Sequence, residues 1–283
     1  MGVMNTIDLQ VITPDWPAPP GVRSAFTLRT GGVSVAPYDS LNLGAGIGDS
    51  PQAVAENRRR VREKLGLPSE PVWLQQVHGV EVVELGATVA PGAGGHSAEA
   101  YGAEVRGGPK PGAAILGVDS PIGDASVARG AGQVCAIRVA DCMPVLFAAR
   151  DGSAVAAAHA GWRGLVGGVL EATVRRLRLP ASQLIAWMGP AIGPAHFEVG
   201  DEVRAAFMAT DLDAAPAFVA NARGRWQCDL YALARRRLTA IGISGIYGSG
   251  WCTFAESERF FSYRRSSQCG RMAALIWVEP IQG

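Results

Sequence analysis

Ala140-Asp141-Cys142-Met143-Pro144-Val145-Leu146-Phe147-Ala148-Ala149-Arg150-Asp151-Gly152-Ser153-Ala154-Val155-Ala156-Ala157-Ala158-His159 is the stretch on which the reading of this 283-residue chain turns. Two short apolar runs, 145–149 and 154–158, flank Asp151-Gly152, a dipeptide suited to the tight turn of a β-hairpin. With Asp151 and Gly152 as the loop, Pro144 faces His159 and Cys142 faces Gly161. Side chains at 142 and 144 then share a face, as do those at 159 and 161. Cys142 and His159 become diagonal neighbours with backbones roughly 7–8 Å apart, near enough for their side chains to meet on one ion or on each other. A bulge at Pro144 would shift this register.

Working outward, 133–139 reads as the preceding strand, and Gly161-Trp162-Arg163-Gly164 leads into a helix carrying Leu165, Val169, Leu170, Val174 and Leu177. Asp49-Ser50-Pro51 opens an earlier helix, with Pro51 in the first turn, where a missing N–H is harmless, and Gly66 closing it. The run 72–77 looks like a strand that delivers His78 to its end. Residues 184–188 and 271–278 read as strands, 201–208 as a helix, and Asp229 as the cap of a helix stopping at Gly242. Between Gly86 and Gly123 the texture changes to Gly, Ala and Pro without periodicity, which predicts a long loop or insertion at about 86–122 with a solvated His96. Strands and helices interleave without repeat or linker, so residues 1–283 are taken as one domain of α/β type.

Composition bounds the function. Apolar residues make up 48% and charged residues 18%, enough for a sizeable core and too apolar for a disordered chain. A net charge of +1 points to neither nucleic acid nor an anionic membrane, while leaving room for a local anion site made by a few arginines. Residues 1–10 include Asp8 and hold no apolar core of signal-peptide length, and no later run would span a bilayer. A cytoplasmic protein with no obligate protein partner is expected. The five cysteines are odd in number, widely spaced and without a CxxC pair, which argues against a disulfide framework or a zinc ribbon.

Three readings of Cys142 and His159 stay open at this level. They fit a metal site, since a thiolate and an imidazole with His78 would make a Cys-His₂ set leaving a fourth position for water or substrate. They also fit a nucleophile and its base in a cysteine hydrolase. The third reading is an inert buried thiol beside a hydrogen-bonded core histidine. Spacing alone does not bring His78 to the pair.

Further stretches carry a resemblance. Arg29-Thr30-Gly31-Gly32-Val33-Ser34, Leu41-Asn42-Leu43-Gly44, Gln75-Gln76-Val77-His78-Gly79, Ala140-Asp141-Cys142-Met143-Pro144-Val145-Leu146 and Ala158-His159-Ala160-Gly161-Trp162-Arg163-Gly164 occur in order. Gly189-Pro190-Ala191-Ile192-Gly193, Phe197-Glu198-Val199-Gly200 and Phe260-Phe261-Ser262-Tyr263-Arg264-Arg265 follow. Together they resemble the YfiH/laccase-domain family, described as polyphenol oxidases and later as purine nucleoside phosphorylases. The resemblance implies an α+β fold, a sandwich of mixed β-sheets with helices packed outside. It implies His78, Cys142 and His159 as metal ligands, with zinc the usual metal and copper invoked for oxidation. It implies phosphorolysis of adenosine, inosine or methylthioadenosine, or adenosine deamination, with purine nucleoside and phosphate as partners. The chain departs from the pattern at Val139 and near Ala128, where the family usually carries threonine, and in the length of the 86–122 stretch.

Beside the metal set, Asp141 is a candidate acid or base next to Cys142, although strand alternation aims it away, and Glu198 is a second. Arg58, Arg163, Arg264 and Arg265 are candidates for bidentate phosphate contacts. Asn42 and Gln76 are candidates for ribose or for orienting a ligand imidazole, and Trp162 and Phe261 for stacking or core packing. Counting ligands weighs against a multicopper oxidase, because only His96 and His196 remain after the proposed three. A single-site copper phenol oxidase, a cysteine-type or zinc amide hydrolase, and a non-enzymatic metal binder are the competing readings.

Overall fold

The computed structural model of the chain describes residues 9–86 and 120–280. Most of the expected loop at 86–122, and His96 with it, lies outside them. In chain order come β1 (Val11–Ile12), β2 (Val22–Thr27), α1 (Pro51–Leu65), β3 (Val72–Trp73), β4 (Val82–Glu84), β5 (Ala125–Arg129), β6 (Val134–Val139), β7 (Met143–Ala149) and β8 (Ala154–Ala160). Then follow α2 (Trp162–Gly167), α3 (Val169–Leu177), β9 (Leu184–Met188), β10 (Glu198–Val199), α4 (Asp201–Met208), β11 (Phe218–Ala220), β12 (Trp226–Cys228), α5 (Leu230–Ala240), β13 (Gly245–Gly248) and β14 (Met272–Val278).

The β7–β8 hairpin has the register expected from its turn. Met143 pairs with Ala160, Pro144 with His159 and Ala148 with Val155, so Pro144 introduces no slip. Gly152 closes the turn at φ 75, its N–H donating to the Ala149 carbonyl. Every residue of both strands is buried. Strands covered on both faces need apolar side chains on both, which is why β7 and β8 read as continuous rather than alternating runs.

Two mixed sheets result. One has the order β13-β9-β7-β8-β5-β4, the other β1-β2-β14-β6-β3, and a small antiparallel sheet, β10-β12-β11, stands apart. Leu146, Ala148, Val155 and Ala157 of the first large sheet pack with Phe26, Ile137, Ala274 and Ile276 of the second, making the sandwich core. On the outer face of the first, Phe147, Ala156 and Ala158 pack with Leu165, Val169, Leu170 and Leu177 of the α2–α3 region. The outer face of the second is covered at Ala136, Leu275 and Trp277 by Val61 of α1 and by Leu41 and Leu43. The fold is therefore α+β, two mixed sheets face to face with helices outside.

Local chemistry sets the helix ends. The Ser50 side chain accepts from the Ala53 N–H at the start of α1, and Gly66 ends it in the left-handed region. Asp229 likewise caps α5 through the Ala232 N–H. Two of the elements expected from the sequence differ, and the strands β1, β2, β4, β5 and β10 to β13 lie outside that expectation. The long helix after Gly161 is two helices, because Gly168 adopts φ 95 and breaks it between α2 and α3. The strand expected over 72–77 ends at Trp73, since beyond it the Gln76 side chain takes the place of a backbone partner. Its Nε2 donates to the Arg138 carbonyl and its Oε1 accepts from the Arg138 N–H.

Strand directions determine what meets where. β3 is parallel to β6, β14 antiparallel to β6, and β7 antiparallel to both β8 and β9. The ends of β3, β6, β8 and β9 and the starts of β5, β7 and β14 consequently share one end of the sandwich. Ala140-Asp141-Cys142 is the link by which the chain leaves one sheet and enters the other.

β8 carries alanine at 154, 156, 157, 158 and 160, and α3 lies against it. Ala156→Leu would place three extra carbons at a fully buried position beneath that helix. Such overpacking is expected to destabilise by about 1–3 kcal/mol, read as a lower urea midpoint at unchanged slope.

Candidate metal centre

His78, Cys142 and His159 come together at this end of the sandwich, each offering one ligand atom within 4.8 Å of the others. Cys142 Sγ lies 3.9 Å from His78 Nε2, and the two imidazoles meet edge-on with centroids 4.8 Å apart. His78 is exposed, Cys142 half-buried and His159 buried, so the cluster is closed on the protein side and open towards solvent. Tetrahedral zinc bound by nitrogen at about 2.0–2.1 Å and sulfur at about 2.3 Å requires ligand atoms roughly 3.3–3.6 Å apart. A small contraction of the side chains meets that requirement, and the donor set is one that zinc and copper both accept.

Each residue is placed by a different device. His159 is the penultimate residue of β8, opposite Pro144. Cys142 precedes β7 and stands across from Gly161, where a side chain would come 2.8 Å from Sγ and 3.2 Å from His78 Cδ2. Glycine is required there because the sulfur and the imidazole occupy the space. His78 adopts φ 62, unusual for a residue with a side chain, and that turn presents the N–H groups of Val77, His78 and Gly79 to one acceptor.

The acceptor is Asp124, a residue the sequence reading missed. Its carboxylate takes the Val77 N–H at 3.1 Å, the His78 N–H at 2.9 Å and the Gly79 N–H at 2.6 Å. The same carboxylate holds His159 Nδ1 at 2.8 Å, and its backbone carbonyl accepts from the His159 N–H. Asp124 is fully buried. It fixes which imidazole nitrogen of His159 faces Cys142, as carboxylates behind metal-ligating histidines do. A lone acid beside Gly123, at the end of a glycine-rich stretch, reads as a turn residue. The available signal was the need of a ligand histidine for a carboxylate at the head of a neighbouring strand.

Electrostatics follow from this packing. Burial pushes the Cys142 thiol up, but the charge and hydrogen bond of His159, then His78, outweigh it and hold the thiol at about 6. Burial opposes protonation of His159, while the Cys142 thiolate and Asp124 raise it to about 9. Without metal, the two therefore form a thiolate–imidazolium pair that titrates as a unit. Cys135 and Cys228 have no such partners, and burial pushes both up to about 12.

The cluster opens into a cleft of about 1760 Å³. Its lining includes Gln76, Arg58, Arg163, Arg264 and Asp141 among the residues singled out from sequence, and the aromatic groups of Trp162, Phe197 and Tyr263. The Gln76 amide spends both ends on the Arg138 backbone. Arg58 stacks on Trp73 at 4.3 Å, Arg163 lies over Trp162 at 4.4 Å, and Arg264 reaches the Glu198 carbonyl. Asp141 borders the cleft, but its carboxylate accepts the Thr253 hydroxyl and the Arg264 N–H, each at 2.6 Å. That bonding ties the sheet-to-sheet link to two distant loops.

Other candidates stand elsewhere. Asn42 is fully buried, its amide spent on Gly44, Asp49 and Arg271. Arg265 donates to the carbonyls of Thr253, Phe254 and Phe260, and Phe261 is core. Glu198 pairs with Asn221 and Arg223. His196 is half-buried, stacked on Phe254 and 3.4 Å from Cys252 Sγ. Of the positions where the family usually carries threonine, Ala128 is buried between the sheets, and Val139 borders both that core and the cleft. No helix among the described residues is long and apolar enough to cross a membrane.

A mixed-sheet sandwich with a His–Cys–His cluster at the mouth of a cleft defines a class, and the comparisons agree on it. The family described as multi-copper polyphenol oxidoreductase laccase matches residues 23–279, and the chain belongs to that family. Among its relatives is a Pseudomonas aeruginosa protein named a purine nucleoside phosphorylase, 49% identical over 95% of this chain and 98% of its own. The Escherichia coli purine nucleoside phosphorylase YfiH is 47% identical over 95% and 99%. The crystal structure of a Neisseria meningitidis protein, 43% identical, superposes with a TM-score of 0.81 over 95% of this chain and 99% of its own.

Two measurements test the arrangement. In metal-stripped protein, alkylation of Cys142 should reach half its plateau rate near pH 6, with Cys135 and Cys228 unlabelled, and added zinc should protect Cys142. Equal labelling of Cys142 with and without a chelator, read by peptide mass spectrometry, would count against ligation. Asp124→Ala strands three N–H groups and the His159 ring, and should cost about 3 kcal/mol or more of unfolding free energy. Although burial pushes Asp124 up, His159 and the Gly79 and Val77 N–H groups hold its carboxyl below the ordinary range. Its contribution is thus fully present above the usual carboxylate titration at about pH 4 and lost as pH falls through the depressed value. Asp124→Asn should flatten that part of the acid-stability curve.

Proposed function

We propose that the chain is a metal-dependent purine nucleoside enzyme, acting by phosphorolysis of adenosine, inosine or methylthioadenosine or by adenosine deamination. The observation that carries this reading is the cleft itself, where the His–Cys–His cluster faces both aromatic and guanidinium groups. The names of the relatives support the same substrate class. His78, Cys142 and His159 would hold zinc, or copper, and a bound ion would supply a Lewis acid with an open coordination position.

The remaining chemistry belongs to the chain. Trp162, Phe197 and Tyr263 offer apolar surface for the faces of a purine, and Arg58, Arg163 and Arg264 supply positive charge along the cleft. Asp124 fixes His159, and Asp141 fixes the loop that bears Arg264. In phosphorolysis a phosphate oxygen bonds to C1′ as the C1′–N9 bond breaks. The electron pair leaves with the purine, which takes up a proton, and ribose 1-phosphate is the second product.

A second reading is favoured by one observation, the closeness of Cys142 to two imidazoles, which lowers its thiol and raises His159. Cys142 activated by His159 has the make-up of a cysteine hydrolase acting on an amide. Turnover of adenosine with and without phosphate distinguishes the reactions, since ribose 1-phosphate reports phosphorolysis and ammonia reports deamination. Cys142→Ser separates the roles of the sulfur. If it is a ligand, the variant should bind metal more weakly and regain part of its lost turnover in excess zinc. A wild type indifferent to chelators that forms a covalent adduct at Cys142 would instead establish the hydrolase.

A further inference from the structure

Three arginines at one corner of the cleft combine partial burial with the lack of a carboxylate partner among the described residues, whereas Arg163 and Arg264 are exposed and Arg59 and Arg62 lie against glutamates. Arg58, Arg138 and Arg271 are each half-buried, line the cleft, and pair with no carboxylate among the described residues. Neutral carbonyls hold them instead. Arg58 donates Nε and Nη2 to the Leu43 carbonyl, Arg138 donates Nη2 to the Leu74 carbonyl, and Arg271 donates Nη1 to the carbonyls of Cys269 and Gly270. Each guanidinium is therefore fixed by one edge and keeps N–H groups unspent. Arg138 Nε is buried without any hydrogen-bond partner. By contrast, Arg59 in the same cleft is bound to Glu56 and Glu63.

The strand register places these charges together. Ala273 of β14 pairs with Arg138 of β6, so Arg271, two residues earlier, is the diagonal neighbour of Arg138 on the same face. Diagonal neighbours in an antiparallel pair lie roughly 7–8 Å apart. Trp73, on which Arg58 stacks, pairs with Ala136, two residues from Arg138 on that face. The carboxylates that border the cleft are already engaged. Asp49 binds Ser34 and Asn42, Glu70 binds Trp73 and lies near Arg62, and Asp141 binds Thr253 and the Arg264 N–H.

Like charges held together in partial burial repel one another and call for a counter-ion. Burial and then the neighbouring Arg138 bring Arg58 down to about 10 against a smaller opposing pull from Glu70, and burial and Arg271 bring Arg138 down to about 10. A planar guanidinium fork takes carboxylate or phosphate bidentately, but three forks anchored around one corner call for more acceptor oxygens than a carboxylate or halide offers, and a phosphate has them. Arg58, Arg138 and Arg271 line the same cleft as His78, Cys142 and His159, with Arg138 near the end of β6 just before the link that carries Cys142.

We infer that Arg58, Arg138 and Arg271 form a phosphate subsite of the cleft. The site rests on this geometry, and only the identity of its occupant as the phosphorolytic co-substrate rests on the proposed function. The chemistry it recognises is a phosphate oxyanion, supplied free or as the monophosphate of a nucleotide.

The test is calorimetric titration of the full chain, without nucleoside, with inorganic phosphate in one arm and adenosine monophosphate in the other. The wild type should bind phosphate, and Arg271→Met and Arg58→Met should each weaken binding at least tenfold. Arg138→Lys, which keeps the charge and loses the fork, should weaken it by less, and Arg59→Gln should leave it unchanged. Thermal denaturation of each variant distinguishes lost binding from lost fold. Binding of the nucleotide alone would support the subsite and assign it to a nucleotide phosphate. A folded wild type that binds neither ligand, or folded Arg271→Met and Arg58→Met variants with wild-type affinity, would overturn it. Phosphate binding that depends on these arginines in a protein that cleaves no nucleoside would uphold the subsite while rejecting the proposed reaction.

Discussion

Asp124 sits at the head of β5 with its carboxylate inside the protein, and four hydrogen bonds converge on it. Three come from consecutive backbone N–H groups of the turn that bears His78, the fourth from His159. A buried carboxylate without donors would be costly, and so would three N–H groups of one turn pointing inward without an acceptor. Each set satisfies the other, so Asp124 holds the left-handed turn at His78 in place. The carboxylate thereby sets the position of one histidine through its backbone and of another through its ring. Cys142 then completes the cluster from the link between the two sheets.

That convergence depends on topology as much as on any side chain. β6 and β7 are consecutive in sequence but belong to different sheets, so Asp141-Cys142 spans the gap at the end of the sandwich. Asp141, at φ 92, turns the chain there and anchors it to Thr253 and the Arg264 N–H. Segments around residues 78, 124, 142, 159, 253 and 264 thus meet at one end although they are spread along the chain. The register that places Cys142 across from Gly161 gives the sulfur its space.

Much of this was legible in the sequence where the signal is local. Asp151-Gly152 between two apolar runs sets the hairpin register, and with it the neighbourhood of Cys142 and His159. Ser50, Gly66 and Asp229 mark helix ends because capping involves residues three or four apart. The missed features are those that depend on distant partners. Gln76 replaces a strand neighbour by bonding to a residue 62 positions away, so the run 72–77 keeps strand composition without being one. Gly168 falls at a position where an apolar helical pattern continues through it, and only the left-handed backbone there reveals the break. Asp124 and the group formed by Arg58, Arg138 and Arg271 are ordinary residues in sequence, and acquire meaning only from the sheet pairing that assembles them.

The family carries a multicopper description, whereas several relatives are named for nucleoside phosphorolysis, and the ligand supply bears on the difference. Beyond His78 and His159 the chain has two more histidines, one of them stacked on Phe254 beside Cys252. That supply suffices for one ion and falls short of a blue-copper centre coupled to an oxygen-reducing cluster. Within the one site, metal and proton compete for the same atoms. His159 Nδ1 is committed to Asp124, so only Nε2 can carry either the proton that faces Cys142 or a metal. Near neutral pH the thiol is already ionised and the imidazole already protonated, so a metal must displace a proton from His159 but none from Cys142. A metal held here would take the thiolate as a ligand and leave His159 no free nitrogen with which to act as a base. Ligand and nucleophile would therefore be exclusive states of one cluster, separated by metal occupancy, and a hydrolase and a metalloenzyme reading of this fold cannot both describe the same molecule at the same moment.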